Sequence, residues 1–210
     1  MAATPIILFA HGAGAPSASR WMRAWALRLG SLGDVATFDY PYMRAGRRSP
    51  DRHEALVTAH AAALDEARAT HGSARPVVLA GKSMGSRIAC HVAVDRGGAD
   101  IAALVCFGYP LRSGATGALR DTVLRALRTP TLFLQGSRDP LCPLADLEMV
   151  RAQMTAPSEL FIVQGGNHSL EVGARDLRRA GKSPAEIDEA VLVAIARFLA
   201  SHGVGSPSSC

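Results

Sequence analysis

The segment Gly81-Lys82-Ser83-Met84-Gly85 follows directly on the apolar run Pro76-Val77-Val78-Leu79-Ala80. A serine flanked in this way, on a sharp turn from strand to helix, has its hydroxyl pushed out at the end of a parallel sheet, exposed for attack on a carbonyl. The glycines are needed where the strand and helix backbones come close together. Gly81-Lys82-Ser83 also matches the end of a phosphate-binding P-loop, but that loop requires a glycine at position 76, which is Pro76. The intervening residues 77–80 are strand-like and too apolar to wrap phosphates, so the P-loop reading fails.

A serine hydroxyl is a weak nucleophile at neutral pH and needs an imidazole to take its proton, and the imidazole in turn needs a carboxylate to fix its tautomer. Two later segments supply these groups. Gly136-Ser137-Arg138-Asp139-Pro140 follows one apolar run and offers Asp139; Gly165-Gly166-Asn167-His168-Ser169 follows another and offers His168. Asp39 and His11 are rivals for the two roles. Asp39 is better placed to hold the Tyr40-Pro41-Tyr42 loop, and His11 to shape a turn by hydrogen bonding.

Acyl transfer also builds negative charge on the carbonyl oxygen, and backbone N–H groups aimed there stabilise it by about 3 kcal/mol per donor. Met84, next after the serine, is one candidate donor. His11-Gly12-Ala13-Gly14-Ala15 supplies the other, Ala13 before Gly14.

The elements that must position these residues are legible as alternating patterns. Six apolar runs, 5–10, 35–40, 77–81, 102–107, 131–135 and 160–164, read as strands covered on both faces. Helical stripes lie between them: Trp21, Trp25 and Leu29; Leu56, Ala59, Ala63 and Leu64; Ile88, Cys90, Val92 and Ala93; Leu119, Val123, Leu124 and Leu127; Leu144, Leu147 and Val150; Ile187, Val191, Ile195 and Phe198. The pattern predicts an α/β class fold, a mostly parallel six-stranded doubly wound sheet with helices on both faces. Loops at the carboxyl ends of such strands converge on one site. The chain order is then Ser83, Asp139, His168, the order of the α/β-hydrolases.

With 210 residues the chain suits one domain over 1–202, with a frayed Gly- and Ser-rich tail at 203–210. A composition of 48% hydrophobic and 20% charged residues is that of a soluble globular protein. No apolar stretch is long enough for a bilayer span and no signal peptide is apparent, so a cytoplasmic protein without a membrane partner is expected. The net charge of +5 comes mainly from scattered arginines with no basic run among aromatics, which argues against nucleic acid. Cys90, Cys106, Cys142 and Cys210 match no zinc spacing. The first two read as buried, and Cys142, near Asp139, is the thiol whose modification would matter.

His11-Gly12-Ala13-Gly14, Phe38-Asp39-Tyr40-Pro41-Tyr42, Gly81-Lys82-Ser83-Met84-Gly85-Ser86-Arg87, Gly108-Tyr109-Pro110-Leu111 and Gln135-Gly136-Ser137-Arg138-Asp139 together resemble the α/β-hydrolase superfamily over nearly the whole chain. Within it they resemble the compact KANL/Tex-type hydrolase-like family, akin to dienelactone hydrolases. The resemblance implies a hydrolase with Ser83, Asp139 and His168 in the roles given above; some relatives look like components of larger assemblies. The usual first antiparallel hairpin is not expected, since the first apolar run leads straight into the oxyanion loop, and no lid domain is expected from the short segment 108–129, which stands where larger lipases carry one.

The expected activity is hydrolysis of a small-molecule acyl substrate, an ester or thioester, without cofactor or metal. The alternative is a non-catalytic binding or scaffold module with the same fold. His11, Tyr40, Tyr42, Arg44, Arg47 and Tyr109 are candidates for substrate contact. Arg44, Arg47, Arg48 and Arg52 either recruit an anionic substrate group at the site mouth or are solvated loop charges. Trp21 and Trp25 are expected in the core rather than in an acyl pocket.

Overall fold

The computed structural model describes residues 3–97, 100–114 and 116–205. Its strands are short runs of Val, Ile, Leu, Phe and Ala, and its helices are the segments whose apolar residues recur at helical spacing. The order is β1 (Ile6–Ala10), α1 (Arg20–Leu29), β2 (Asp34–Phe38), α2 (Pro41–Arg44), α3 (His53–His71), β3 (Val77–Lys82) and α4 (Met84–Asp95). There follow β4 (Ala103–Phe107), α5 (Thr122–Ala126), β5 (Thr131–Gly136), α6 (Leu144–Arg151), β6 (Ser158–Val163), α7 (Ala174–Ala180) and α8 (Pro184–Ser201). The strands form one six-stranded sheet in the order β2-β1-β3-β4-β5-β6. Every neighbouring pair is parallel.

Side chains alternate across a strand, and here the alternation divides the core. Ile6, Leu8, Val77, Leu79, Leu104, Cys106 and Phe133 point to the face covered by α3, α4, α5 and α6. Ile7, Phe9, Val78, Ala80, Val105, Phe107, Leu132 and Leu134 point to the face covered by α1 and α8. Both faces are therefore apolar, which is why the central strands show no polar alternation. The fold is the doubly wound α/β arrangement expected from the sequence, and among the described residues no lid domain stands over the carboxyl ends of the strands.

Several boundaries differ from the sequence expectation. β2 stops at Phe38, because the Tyr40 N–H leaves the ladder and donates to the His11 imidazole at 3.2 Å. β6 begins at Ser158, earlier than expected, since its polar first residues pair with β5 on the outer side of the sheet. α7 was not foreseen: Leu177 is its only buried residue, so it carries no apolar stripe, and Gly181 ends it at φ 64°. Leu119 lies outside α5, in an isolated bridge to Arg112. Val204 is buried and its N–H donates to Leu199 O at 2.8 Å. Residues 206–210, with Cys210, lie outside the described residues. Among the described residues no helix is long and apolar enough to cross a membrane.

The α1 face of the core is strongly aromatic. The Phe107 ring centre lies 4.9 Å from Trp25, 5.7 Å from Trp21 and 5.5 Å from Phe9. Phe107→Ala removes a fully buried ring and is expected to lower unfolding free energy by about 3–5 kcal/mol. Urea denaturation measures this, and a loss below about 1 kcal/mol would show that the ring does not organise this face.

Candidate active site

Ser83 is the single residue between β3 and α4, and its backbone has φ 51° and ψ −113°. A non-glycine residue held there costs about 1–3 kcal/mol and persists only when its surroundings over-determine it. They do: the Ser83 N–H donates to Phe107 O at 2.9 Å, and Ser83 O accepts from Ser86 Oγ at 2.7 Å and the Arg87 N–H at 3.1 Å. The flanking glycines are required by closeness. A Cβ at Gly81 would lie 2.3 Å from Ser86 N, and one at Gly85 would lie 2.4 Å from Ala10 O.

Asp139 sits in the loop after β5, almost fully buried. Its Oδ1 accepts the Leu141 N–H at 2.9 Å, and its Oδ2 accepts from Gln135 Nε2 at 2.5 Å and His168 Nδ1 at 2.7 Å. A carboxylate can only accept, so Nδ1 carries the proton and Nε2 is free to accept. Nε2 lies 2.8 Å from Ser83 Oγ. The structure thus brings Ser83, His168 and Asp139 into one hydrogen-bonded chain. Such a chain can deprotonate the serine hydroxyl as it attacks and hold the resulting imidazolium against a carboxylate.

His168 reaches Ser83 from the outermost strand, so its loop must lie close over the ends of β5 and β4. A Cβ at Gly136 would come 2.3 Å from Asn167 O, and one at Gly108 would come 2.4 Å from His168 O. Two side chains then hold the loop. Lys82 Nζ donates to His168 O at 2.6 Å, and Trp21 Nε1 donates to Ser169 O at 3.1 Å. The ammonium also lies 5.4 Å from the Trp21 ring centre, a cation–π distance. Burial pushes the Lys82 ammonium down to about 8, opposed by the Asp139 and Glu171 carboxylates.

The loop after β1 is held from beneath. His11 is fully buried; its Nδ1 donates to Gly12 O at 2.6 Å and its Nε2 accepts the Tyr40 N–H. Burial lowers its affinity for a second proton, against the pull of Gly12 O and Asp39. Gly12 C=O and Ala13 N–H belong to one trans peptide and point in opposite directions. Anchoring the carbonyl on His11 therefore turns the Ala13 N–H away from it. The Tyr42 hydroxyl donates to Ala13 O at 3.0 Å, and Asp39 Oδ1 accepts the Ser17 N–H at 2.7 Å. Neither the Ala13 nor the Met84 N–H has a hydrogen-bond acceptor among the described residues. A cavity of about 410 Å³ lies over Ser83 and His168, lined by Ala13, Gly14, Trp21, Met22, Lys82 and Leu141 among others.

Several candidates for substrate contact need correction. Tyr40, Tyr42, Tyr109 and His11 have no exposed surface and cannot touch a ligand there. Tyr40 bonds through its hydroxyl to His60 Nδ1, Tyr109 donates to Arg120 O, and Tyr42 and His11 support the β1 loop. Arg44 and Arg47 are exposed and do not line the cavity over Ser83, and Arg47 pairs with Asp51 at 2.5 Å. Arg48 and Arg52 are likewise exposed and outside its lining. Asp39 supports the β1 loop through Ser17 as well as standing 3.6 Å from His11 Nε2. Cys142 is buried, and burial raises its thiol to about 12, so it is protonated and sheltered from modification. Trp25 is in the core as expected, but Trp21 is half-buried and lines the cavity. Lys82 and Gln135 escaped the sequence analysis as site residues, although Lys82 stands inside the pentapeptide and Gln135 at the end of the strand before Asp139.

The structure resembles several solved ones. A protein of unknown function from Agrobacterium tumefaciens superposes with a TM-score of 0.73 at 17% identity, over 99% of this chain and 91% of that one. A dienelactone hydrolase from Anabaena variabilis gives a TM-score of 0.65 at 24% identity, over 95% and 87% of the two chains. A thioesterase from the prodiginine biosynthetic pathway of Streptomyces coelicolor gives 0.64 at 24% identity, over 94% and 91%. At these identities the likeness is one of fold. Residues 3–208 match the family described as an alpha/beta hydrolase domain, and with the parallel sheet and the strained serine turn in place, the chain belongs to that family.

Proposed function

We propose that this chain is a serine hydrolase that cleaves a small carboxylic ester, thioester or related acyl bond through an acyl-Ser83 intermediate. The observation that carries the reading is the continuous hydrogen-bond chain from Ser83 Oγ through His168 to the buried Asp139 carboxylate. His168 Nε2 takes the hydroxyl proton as Ser83 Oγ bonds to the substrate carbonyl carbon. The carbonyl oxygen becomes an oxyanion held by the Ala13 and Met84 N–H groups, with Gly14 the alternative donor in the same loop. The imidazolium then gives its proton to the leaving alcohol or thiol as that bond breaks. Water, deprotonated by His168, attacks the acyl-Ser83 carbonyl, and the acid leaves as Ser83 recovers its proton.

Hydrolysis of short p-nitrophenyl esters tests this directly. Ser83→Ala is expected to lower turnover by about a millionfold with the fold intact. A variant close to wild type would show that another group performs the chemistry.

Asp139→Asn is expected to lower kcat by about ten-thousandfold at neutral pH, because an amide can stabilise the wrong imidazole tautomer. Its measurement belongs beside that of Asp39→Asn. If the latter proves more damaging, the carboxylate is misassigned.

Lys82 offers a test by pH. The unfolded chain keeps its ammonium proton to about 10.4, whereas the folded chain releases it at about 8. Between these values the unfolded state binds more protons, so the Lys82 contribution to stability rises with pH. The stability of Lys82→Met relative to wild type, from urea midpoints, is therefore expected to fall steadily from pH 7.5 to pH 10. A flat difference would mean that Lys82 is hydrated rather than packed under Trp21 and His168.

A further inference from the structure

A second cavity, of about 530 Å³, opens between α1 and the start of α8. Its apolar lining includes Trp21, Ala24 and Trp25 on α1, Leu170 and Val172 beyond His168, and Ile187 on α8. Trp21, Ser169 and Glu171 line this cavity and the one over Ser83 alike, so the two adjoin along a shared rim. The size and lining are those of a small-molecule site, apolar with charges at the rim. Here the rim carries the Arg28–Asp188 ion pair at 2.7 Å.

We propose that this groove holds the apolar leaving group of the substrate, the alcohol or thiol arm, rather than its acyl chain. The inference rests on the hydrolase reading and adds direction to it. The carbonyl oxygen must face Ala13 and Met84, while the leaving atom must lie within hydrogen-bond reach of His168 Nε2, which protonates it. The leaving arm therefore departs on the His168 side of the site. That side ends at Trp21, Ser169 and Glu171, the rim that both cavities share, and an arm laid across this rim enters the groove. The rim is built to keep its shape. Asn167 Oδ1 accepts the Ser169 N–H at 2.7 Å and the Glu171 N–H at 3.1 Å. Leu170, at φ 64° and 4% exposed, is turned inward. Trp21 is fixed in plane by its bond to Ser169 O.

Trp21 and Trp25 are the only tryptophans of the chain, and both line the groove, so intrinsic fluorescence reports its occupancy without turnover. The titration uses 1-octanol with the Ser83→Ala protein. A saturable change in emission is expected, weakened about tenfold or more in Ala24→Phe and in Ile187→Phe, which fill the groove from different helices. In parallel, kcat/KM is compared for the isomers octyl acetate and methyl nonanoate with Ser83 present. Octyl acetate is expected to be preferred by about tenfold or more, as burial of a few methylenes allows, and both filling variants to bring the ratio toward unity. No emission change, a preference for methyl nonanoate, or a preference that survives both variants would overturn the proposal. Labelling of Ser83 by a fluorophosphonate probe separates the two levels. Labelling without an octanol response removes the groove and keeps the hydrolase, whereas failure to label removes both.

Discussion

The backbone turn at Ser83 is the constraint around which the rest of the site is arranged. β3 enters it and α4 leaves it with one residue between them, at a φ that an L-residue rarely adopts. The turn closes only because Gly81 and Gly85 let the start of α4 press against β3 and the end of β1. That approach sets α4 over the sheet centre, where Ile88, Ala89, Cys90 and Val92 are buried. It also sets the proposed oxyanion loop, which leaves β1 at the point where Gly85 meets Ala10 O. The strain is local, but its restraint is spread over hydrogen bonds to β4 and α4.

Around that turn the polar groups support one another in layers. His11, Tyr42 and Asp39 fasten the β1 loop through its carbonyls and the Ser17 N–H. Gln135 and the Leu141 N–H occupy the parts of the Asp139 carboxylate that His168 leaves unused. Lys82 and Trp21 hold consecutive carbonyls of the His168 loop. Lys82 is the residue before Ser83, so one short piece of chain carries the proposed nucleophile and also tethers its proposed base. A shift of that segment moves both together.

The parts of this arrangement that depend on local chain pattern were legible in the sequence. A strand followed by Gly-x-Ser-x-Gly, and later strands followed by Asp139 and His168, can be recognised because parallel strands deliver their carboxyl-end loops to one place. What depends on the direction of a side chain was not legible. Tyr40 and Tyr42 follow a strand end, and nothing in their neighbours tells whether the rings turn inward; His60 and the Ala13 carbonyl, distant in sequence, decide it. For Arg47 the sequence left anion recruitment and a solvated charge both open, and the direction of its side chain, toward Asp51, decides between them. α7 has one buried residue and hence no periodicity to detect. The groove between α1 and α8 is made by segments at opposite ends of the chain, and no motif marks such a meeting.

His168 is delivered by β6, and β6 lies at the margin of the sheet, paired on one side only. The serine, by contrast, is delivered by β3, deep in the interior. Opening free energies differ across a protein, and marginal strands part from their neighbours more cheaply than central ones. The proposed chemistry is therefore tied to an edge of the sheet as well as to its centre. As the chain is warmed or chemically loosened, β6 would separate while the central strands still hold. The molecule would then pass through a state with a native interior and an intact serine turn, but with no imidazole within reach.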